Sequence, residues 1–117
     1  MSQPMQISVS DDGTTTLINV FTVDPSNQDE LVRLAFDGIS NIASKVPGFV
    51  RAAIHRSVDG TQLVNYIQWA DADAWQRSHE LLGADPHFVK HMEDVAKIAT
   101  PAPRLYDVVA VVEASAS

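Results

Sequence analysis

The chain has 117 residues, no cysteine and a formal net charge of −7. This length is typical of one domain that buries its own core, and the lack of cysteine excludes disulfides, thiolate nucleophiles and thiolate metal ligands. The acidic balance disfavours nucleic acid as a partner, because such a surface repels phosphate backbones. The sequence contains no signal peptide and no apolar run of about 20 residues, which predicts a cytoplasmic protein without membrane contact.

Two spacings of apolar residues predict the secondary structure: alternation for strands, and a repeat of three to four residues for helices. Asn27 followed by Glu30 has the form of a capping box at the start of the first helix. Asp59-Gly60 predicts a hairpin turn. The predicted elements are, in chain order, strand 15–23, helix 28–46, strands 49–57 and 60–69, a helix that begins at 71 and breaks at 81–83, a second helical part over 85–98, and strand 105–113.

This order predicts an α+β fold of the ferredoxin-like, split βαβ type, in which helices cover one face of a four-stranded antiparallel sheet. The domain is expected over residues 15–113, with flexible tails at 1–14 and 114–117. Valine, isoleucine and alanine occur on both faces of the strands. An apolar sheet face that no helix covers is typical of an interface. The chain is therefore expected to form a two-fold homodimer with sheet packed on sheet.

The strand at 60–69 carries an amide in the middle of an apolar face. Alternation places Asn65 on the same side as Ile67 and Trp69. Burying an amide without a partner costs a few kcal/mol, so Asn65 either bonds the backbone or faces a pocket that binds something else. Asn19 interrupts the first strand in the same way. Because the predicted fold makes these two strands neighbours, the two amides are expected to lie close together.

Three motifs are similar to a known family. Pro47-Gly48-Phe49, the run over 55–61 (His-Arg-Ser-Val-Asp-Gly-Thr) and the run over 64–69 (Val-Asn-Tyr-Ile-Gln-Trp) resemble the antibiotic biosynthesis monooxygenase family. Within it they look most like the cofactor-free anthrone monooxygenases of aromatic polyketide pathways. The resemblance covers residues 15–113. It implies a dimeric α/β barrel with a pocket between sheet and helices in each subunit.

The resemblance implies oxidation of an anthrone-like aromatic polyketide to a quinone by O2, with no cofactor and no metal. It places catalytic roles on Asn65, Trp69 and Asn19. A substrate that loses a proton easily can give its electron to O2 directly, and neutral amides are suited to stabilise the oxyanion that forms. The Trp69 indole N–H can bond a carbonyl or the peroxide. The sequence also lacks a Gly-rich dinucleotide motif.

Other residues, His91 among them, are candidates for substrate contact. Trp75 occupies a position where some members of the family have tyrosine, and because tryptophan does not titrate, Trp75 is expected only to line the pocket. His55 precedes the hairpin turn and is either the base that takes the substrate proton or a half-exposed hairpin residue. Phe36, Phe88 and Met92 are expected to be pocket wall or plain core.

Three alternatives concern metals, haem and binding alone. His87 and His91 are four residues apart on one helix, but with no third ligand apparent a metal site is not expected. The haem-degrading branch of the family uses a set that Asn19, Trp69 and His91 could imitate, although the Asn65-Tyr66 run argues against it. A dimeric module that binds a small aromatic molecule without turnover is the remaining alternative.

Overall fold

The computed structural model describes residues 13–115. The predicted tail at 1–14 lies almost entirely outside this range, and the one at 114–117 lies partly outside it. The elements are β1 Thr15–Val23, α1 Gln28–Asn41, β2 Phe49–Arg56, β3 Gln62–Trp69, α2 Ala72–Gly83, α3 Pro86–Ala96, β4 Ala99–Thr100 and β5 Pro103–Tyr106. The sheet is antiparallel, with the order β2-β3-β1-β4 and with β5 also paired to β1. This arrangement confirms the ferredoxin-like α+β prediction.

The first helix begins at Gln28 as predicted, but its cap and its end differ from the prediction. Asn27 makes no side-chain cap, so the predicted capping box is wrong. Asp24 instead caps a 3₁₀ turn at Pro25–Asn27, where its carboxylate accepts the Ser26 N–H at 2.9 Å. The proline fixes its own backbone angle and favours this turn, which leads directly into α1.

The helix ends at Asn41 rather than at 46, and a 3₁₀ turn follows at Ala43–Lys45. Two serine hydroxyls donate to carbonyls four residues earlier, Ser40 to Phe36 at 2.6 Å and Ser44 to Ser40 at 2.8 Å. Such bonds compete with the regular hydrogen bonds of a helix and bend it. The helix therefore stops before Pro47-Gly48.

The last strand is shorter than predicted. It ends at Tyr106, and residues 107–115, the C-terminal arm, have no regular secondary structure. The reason lies in the register: Tyr106 pairs with Thr16, and β1 begins at Thr15, so β5 could gain only one more residue before it ran past the start of β1. The arm is apolar and open, with Val109 87% and Val112 92% exposed.

The helices cover one face of the sheet and form the core with it. The core cluster consists of Phe21, Val23, Leu31, Ala35, Leu63, Val95 and Ala99. In β1 and β3 these residues have the same parity as Asn19 and Asn65, which lie directly opposite each other in the register. The prediction that the two amides come together is confirmed. None of the helices within residues 13–115 has the length and apolar character that crossing a bilayer requires.

A network of hydrogen bonds closes the β2–β3 hairpin. Gly60 has a φ of 85°, a left-handed conformation that glycine adopts without strain. The Asp59 carboxylate accepts from Thr61 N at 3.0 Å, Thr61 Oγ1 at 2.7 Å and Ser57 Oγ at 2.8 Å. The Gln28 amide donates to the carbonyls of Ser57 and Gln62, both at 3.0 Å. The run over 55–61 is thus a structural turn.

The Asp59 bonds make stability depend on acid pH. Hydrogen bonds from Thr61 and Ser57 lower the Asp59 pKa from its ordinary 3.8. As the pH falls, the Asp59 carboxylate of the unfolded chain is protonated before that of the folded chain. The stabilisation by these bonds is therefore complete above pH 3.8, and it is lost as the pH drops through the pKa that Asp59 has in the folded protein. We expect Asp59→Asn to unfold at lower urea concentration than the wild type at neutral pH.

The difference in urea midpoint between the two proteins should shrink as the pH falls below 3.8. A difference that stays constant over this range would contradict the prediction. Asp73→Asn serves as the matched control, because Asp73 is exposed in the first turn of α2 and the hairpin bonds described above are accepted by Asp59.

Candidate active site

A cavity of about 300 Å³ lies between the inner sheet face and the helices. This volume is at the small end of the range for ligand sites, which are usually apolar with a few polar groups. A wider groove of about 560 Å³ next to residues 41–47 is more open and contains none of the strand amides. The walls of the smaller cavity include Leu17, Asn19, Phe21, Gly38, Asn65, Ile67, Trp69, Trp75, Ser78, His79, Phe88, Met92 and Pro103.

Strand β3 contributes two buried polar side chains to this wall. Asn65 is 8% exposed and Trp69 is 2% exposed. Among the described residues, neither Asn65 Oδ1 nor Trp69 Nε1 has a hydrogen-bond partner. An unsatisfied buried polar atom costs about 1–3 kcal/mol, and such atoms are uncommon in native proteins. Both side chains line one cavity, so a ligand there is the natural source of the missing partners.

The Trp69 ring is held in place by the Pro47-Gly48-Phe49 motif. Phe49 pairs with Trp69 across the strands, and the two rings pack edge to face with their centroids 5.7 Å apart. Gly48 has a φ of 92°, and a Cβ there would overlap with the Ala74 side chain. Glycine at this position therefore lets the start of β2 pass close to α2, and Phe49 reaches the indole.

The backbone just before β5 anchors the Asn19 side chain. Its Oδ1 accepts the Ala102 N–H at 3.0 Å, next to the pairing of Asn19 with Pro103 in β5. This bond fixes the orientation of the amide, because only the oxygen can accept. The NH₂ group is then the part of Asn19 that remains for a ligand in the cavity.

Trp75, Phe88 and Met92 line the cavity. Trp75 lies on α2, which Asp71 caps by accepting the Ala74 N–H at 2.7 Å. Phe88 and Met92 lie on one side of α3, one turn apart. Their placement favours the pocket-wall interpretation over plain core.

The structure does not bring His55, Phe36 or His91 to this cavity. His55 is exposed and pairs with Val64, on the opposite sheet face from Asn65. Phe36 is 61% exposed on α1. These positions follow from parity and helical phase, neither of which directs the two side chains inward.

His91 packs against α1 instead. Its imidazole lies where a Cβ on Gly38 would be, so the glycine makes room for the ring. Burial lowers the His91 pKa from its ordinary 6.5. The set of Asn19, Trp69 and His91 that the haem-degrading alternative requires is therefore not assembled around this cavity.

His79 is an ionisable wall residue that sequence reasoning missed. It lies on α2 one turn after Trp75, and the two ring centroids are 5.5 Å apart. The helical spacing was the available signal, because a residue four positions from Trp75 shares its face.

Within residues 13–115, no group of three His, Cys, Asp or Glu side chains is placed to hold a metal ion.

Comparison with known families decides where the chain belongs. The family model for antibiotic biosynthesis monooxygenases matches residues 14–94. The chain belongs to the antibiotic biosynthesis monooxygenase family. The membership confirms the resemblance carried by the three motifs. The match ends inside α3, so β5 lies beyond the part that the family model covers. This uncovered part includes Pro103 of the cavity wall and the Ala102 N–H that bonds Asn19.

Three relatives within the antibiotic biosynthesis monooxygenase family are informative. The tetracenomycin-F1 monooxygenase of Streptomyces glaucescens is 36% identical over 88 residues, 75% of each chain. The structure of the ActVA-Orf6 monooxygenase of Streptomyces coelicolor, in complex with nanaomycin D, has a TM-score of 0.73 at 30% identity, covering 89% of this chain and 95% of that one. SnoaB of Streptomyces nogalater, a cofactor-independent oxygenase, has a TM-score of 0.66 at 27% identity, covering 86% and 97%. The chain is thus an oxidoreductase related to polyketide monooxygenases.

Proposed function

We propose that the chain oxidises an anthrone-like aromatic polyketide to a quinone with O2 and without a cofactor. The observation that carries the proposal is the pair of unsatisfied polar atoms, Asn65 Oδ1 and Trp69 Nε1, in the wall of a mainly apolar cavity. A flat aromatic substrate matches apolar walls and aromatic rings, and its few oxygens match the few polar groups. The relationship to a tetracenomycin-F1 monooxygenase supports the same substrate class.

The proposed reaction begins when the substrate loses a proton and becomes an enolate. A half-turn of the Asn65 amide exchanges its oxygen and its NH₂ group, so the unsatisfied position can donate to the enolate oxygen. Asn19 offers a second NH₂ group. An electron passes from the enolate to O2, and a C–O bond then forms to give a peroxide. Loss of water from the peroxide leaves the quinone, so both oxygen atoms are accounted for.

Trp69 has two roles in this proposal. Its indole N–H is a donor that does not titrate, and it can bond a substrate carbonyl or the peroxide. Its ring, braced by Phe49, offers a flat surface on which a polycyclic substrate stacks. The protein contributes position and hydrogen bonds, while the substrate itself supplies the electrons.

The test is anaerobic incubation of chelator-treated, colourless protein with an anthrone, followed by admission of air and measurement of quinone absorbance. Turnover above the rate without protein is the expected result. Phe36→Ala is a suitable control because Phe36 is exposed outside the cavity, and it should keep its activity. Turnover that requires added flavin, iron or haem would overturn the proposal, and tight binding without turnover would favour a binding module.

We also propose that the chain forms a homodimer through its outer sheet face. Ile18, Val20 and Val64 lie on the face opposite Asn65, where none of the three helices packs. Each is half-buried in the single chain. The apolar C-terminal arm starts at the edge of the same sheet. Apolar surfaces of this kind are usually covered by a partner, and two-fold packing of sheet on sheet covers them with a second copy.

Light scattering at micromolar concentration should therefore report a dimer. Val64→Glu places a charge on the proposed interface and should yield monomers. Val58→Glu makes the same chemical change on the fully exposed hairpin turn and should leave the dimer intact. A wild-type monomer, or equal behaviour of the two variants, would contradict the proposal.

A further inference from the structure

We propose that His79 is the catalytic proton carrier of this site, taking protons from the substrate carbon and passing them to the peroxide oxygens. The inference rests on the proposed oxidation, which needs a group that accepts and returns protons. Asn65, Asn19 and Trp69 cannot serve, because amides and indoles do not titrate near neutral pH. A separate side chain must therefore do so.

Among the described residues that line the cavity, His79 is the one with an ionisable side chain. The chain has four histidines. His55 lies on the opposite sheet face, His91 packs over Gly38, and His87 lines the separate groove near residues 41–47. Imidazole is also the side chain best suited to give and take protons near neutral pH. The position and the chemistry point to the same residue.

The location of His79 is suited to proton exchange. His79 contributes to the cavity wall and its ring adjoins that of Trp75, another wall residue, yet His79 as a whole is exposed, so it lies at the mouth of the cavity. The Trp75 ring is tilted by 31° to the imidazole, which keeps the two rings side by side. The next residue, Ser78, is buried and donates its hydroxyl to the Trp75 carbonyl at 2.6 Å. This part of α2 is therefore packed rather than free.

The imidazole of His79 carries protons in three successive steps. One imidazole nitrogen takes a proton from the reacting CH₂ carbon, leaving the enolate. After O2 adds, the imidazolium returns this proton to the peroxide anion. The imidazole then removes the second C–H proton while the O–O bond breaks, and the departing hydroxide leaves as water with that proton. The sum is conversion of CH₂ and O2 into C=O and H2O.

His79→Ala should lower kcat about a hundredfold, the lower end of what a general acid–base group contributes. Binding of a quinone product, measured by fluorescence quenching, should change little, because Asn65 and Trp69 remain. Added imidazole should restore turnover in His79→Ala with a saturating dependence on its concentration, and it should have no such effect on the wild type. His79→Gln keeps size and polarity and should be as slow as the alanine variant.

His87→Ala removes the same side chain from a different groove and is expected to behave as wild type. Circular dichroism confirms that each variant is folded. If the wild type oxidises an anthrone and either His79 variant matches it, or if imidazole gives no rescue, the role of His79 is wrong while the proposed function stands. A wild type that shows no oxidation overturns the proposed function, and with it the role of His79.

Discussion

Asn65→Ala should lower kcat for anthrone oxidation about a hundredfold, since losing one donor to a developing oxyanion typically costs on the order of 3 kcal/mol. Product binding should weaken far less, because the amide acts on charge that appears only during the reaction. Melting temperature should hold steady or rise, because the substitution removes a buried oxygen that has no partner. Quinone absorbance and thermal unfolding measure the two effects separately.

The competing view, in which Asn65 is an ordinary core amide, makes the opposite forecast. Stability would then fall and turnover per folded molecule would stay near the wild-type value, and that result would sink the catalytic assignment. Gln62→Ala is the matched control, because it removes an exposed amide from the same strand. Asn65→Asp should be slower than Asn65→Ala, since an ionised carboxylate repels the enolate and donates no hydrogen bond.

Gly38→Ala should destabilise the fold, although alanine favours a helix by about 1 kcal/mol over glycine. The added methyl group meets the His91 imidazole, which lies directly over Gly38. Forcing extra volume into a packed contact typically costs about 1–3 kcal/mol, so the clash outweighs the gain in propensity. The midpoint of urea unfolding is the measurement.

A double-mutant cycle isolates this contact. In a His91→Ala background the space above α1 is open, so Gly38→Ala should become neutral or stabilising there. Gly83→Ala is the control within a helix, because no atom lies within 4 Å of a Cβ at that position. Equal destabilisation by Gly38→Ala in both backgrounds would show that His91 is not the cause.

Strand parity made most of the site predictable. Alternation in the two strands is enough to place Asn19, Asn65 and Trp69 on one face, and the strand order is enough to make the amides neighbours. Helical spacing likewise brings Trp75, Phe88 and Met92 inward. These inferences hold because a buried face constrains the register strongly: a slip of one residue would expose the whole apolar set.

The errors came from partners that no local pattern reveals. Asn27 and Glu30 have the form of a cap, but Asp24 and Pro25 form an earlier turn that satisfies the helix start. Residues 107–113 have strand propensity, but the register carries all of them except Asp107 past the start of β1. His79 carries no motif, and its importance appears only once α2 is placed over the cavity. His55 belongs to one of the family motifs, but its position in the alternation of β2 places its side chain on the sheet face opposite the cavity.

Alternation in strand β3 assigns every second side chain to the cavity and the others to the outer sheet face. This limits how the sequence of the strand can change without loss of the site. Asn65 and Trp69 face the cavity, while Val64 and Tyr66 face the opposite side. Deleting one residue within the strand would turn a phenol inward where the amide now stands, and would disrupt both faces at once. A change of length within β3 is therefore costly. Substrate preference can change through substitutions in the cavity wall that preserve the spacing of β3.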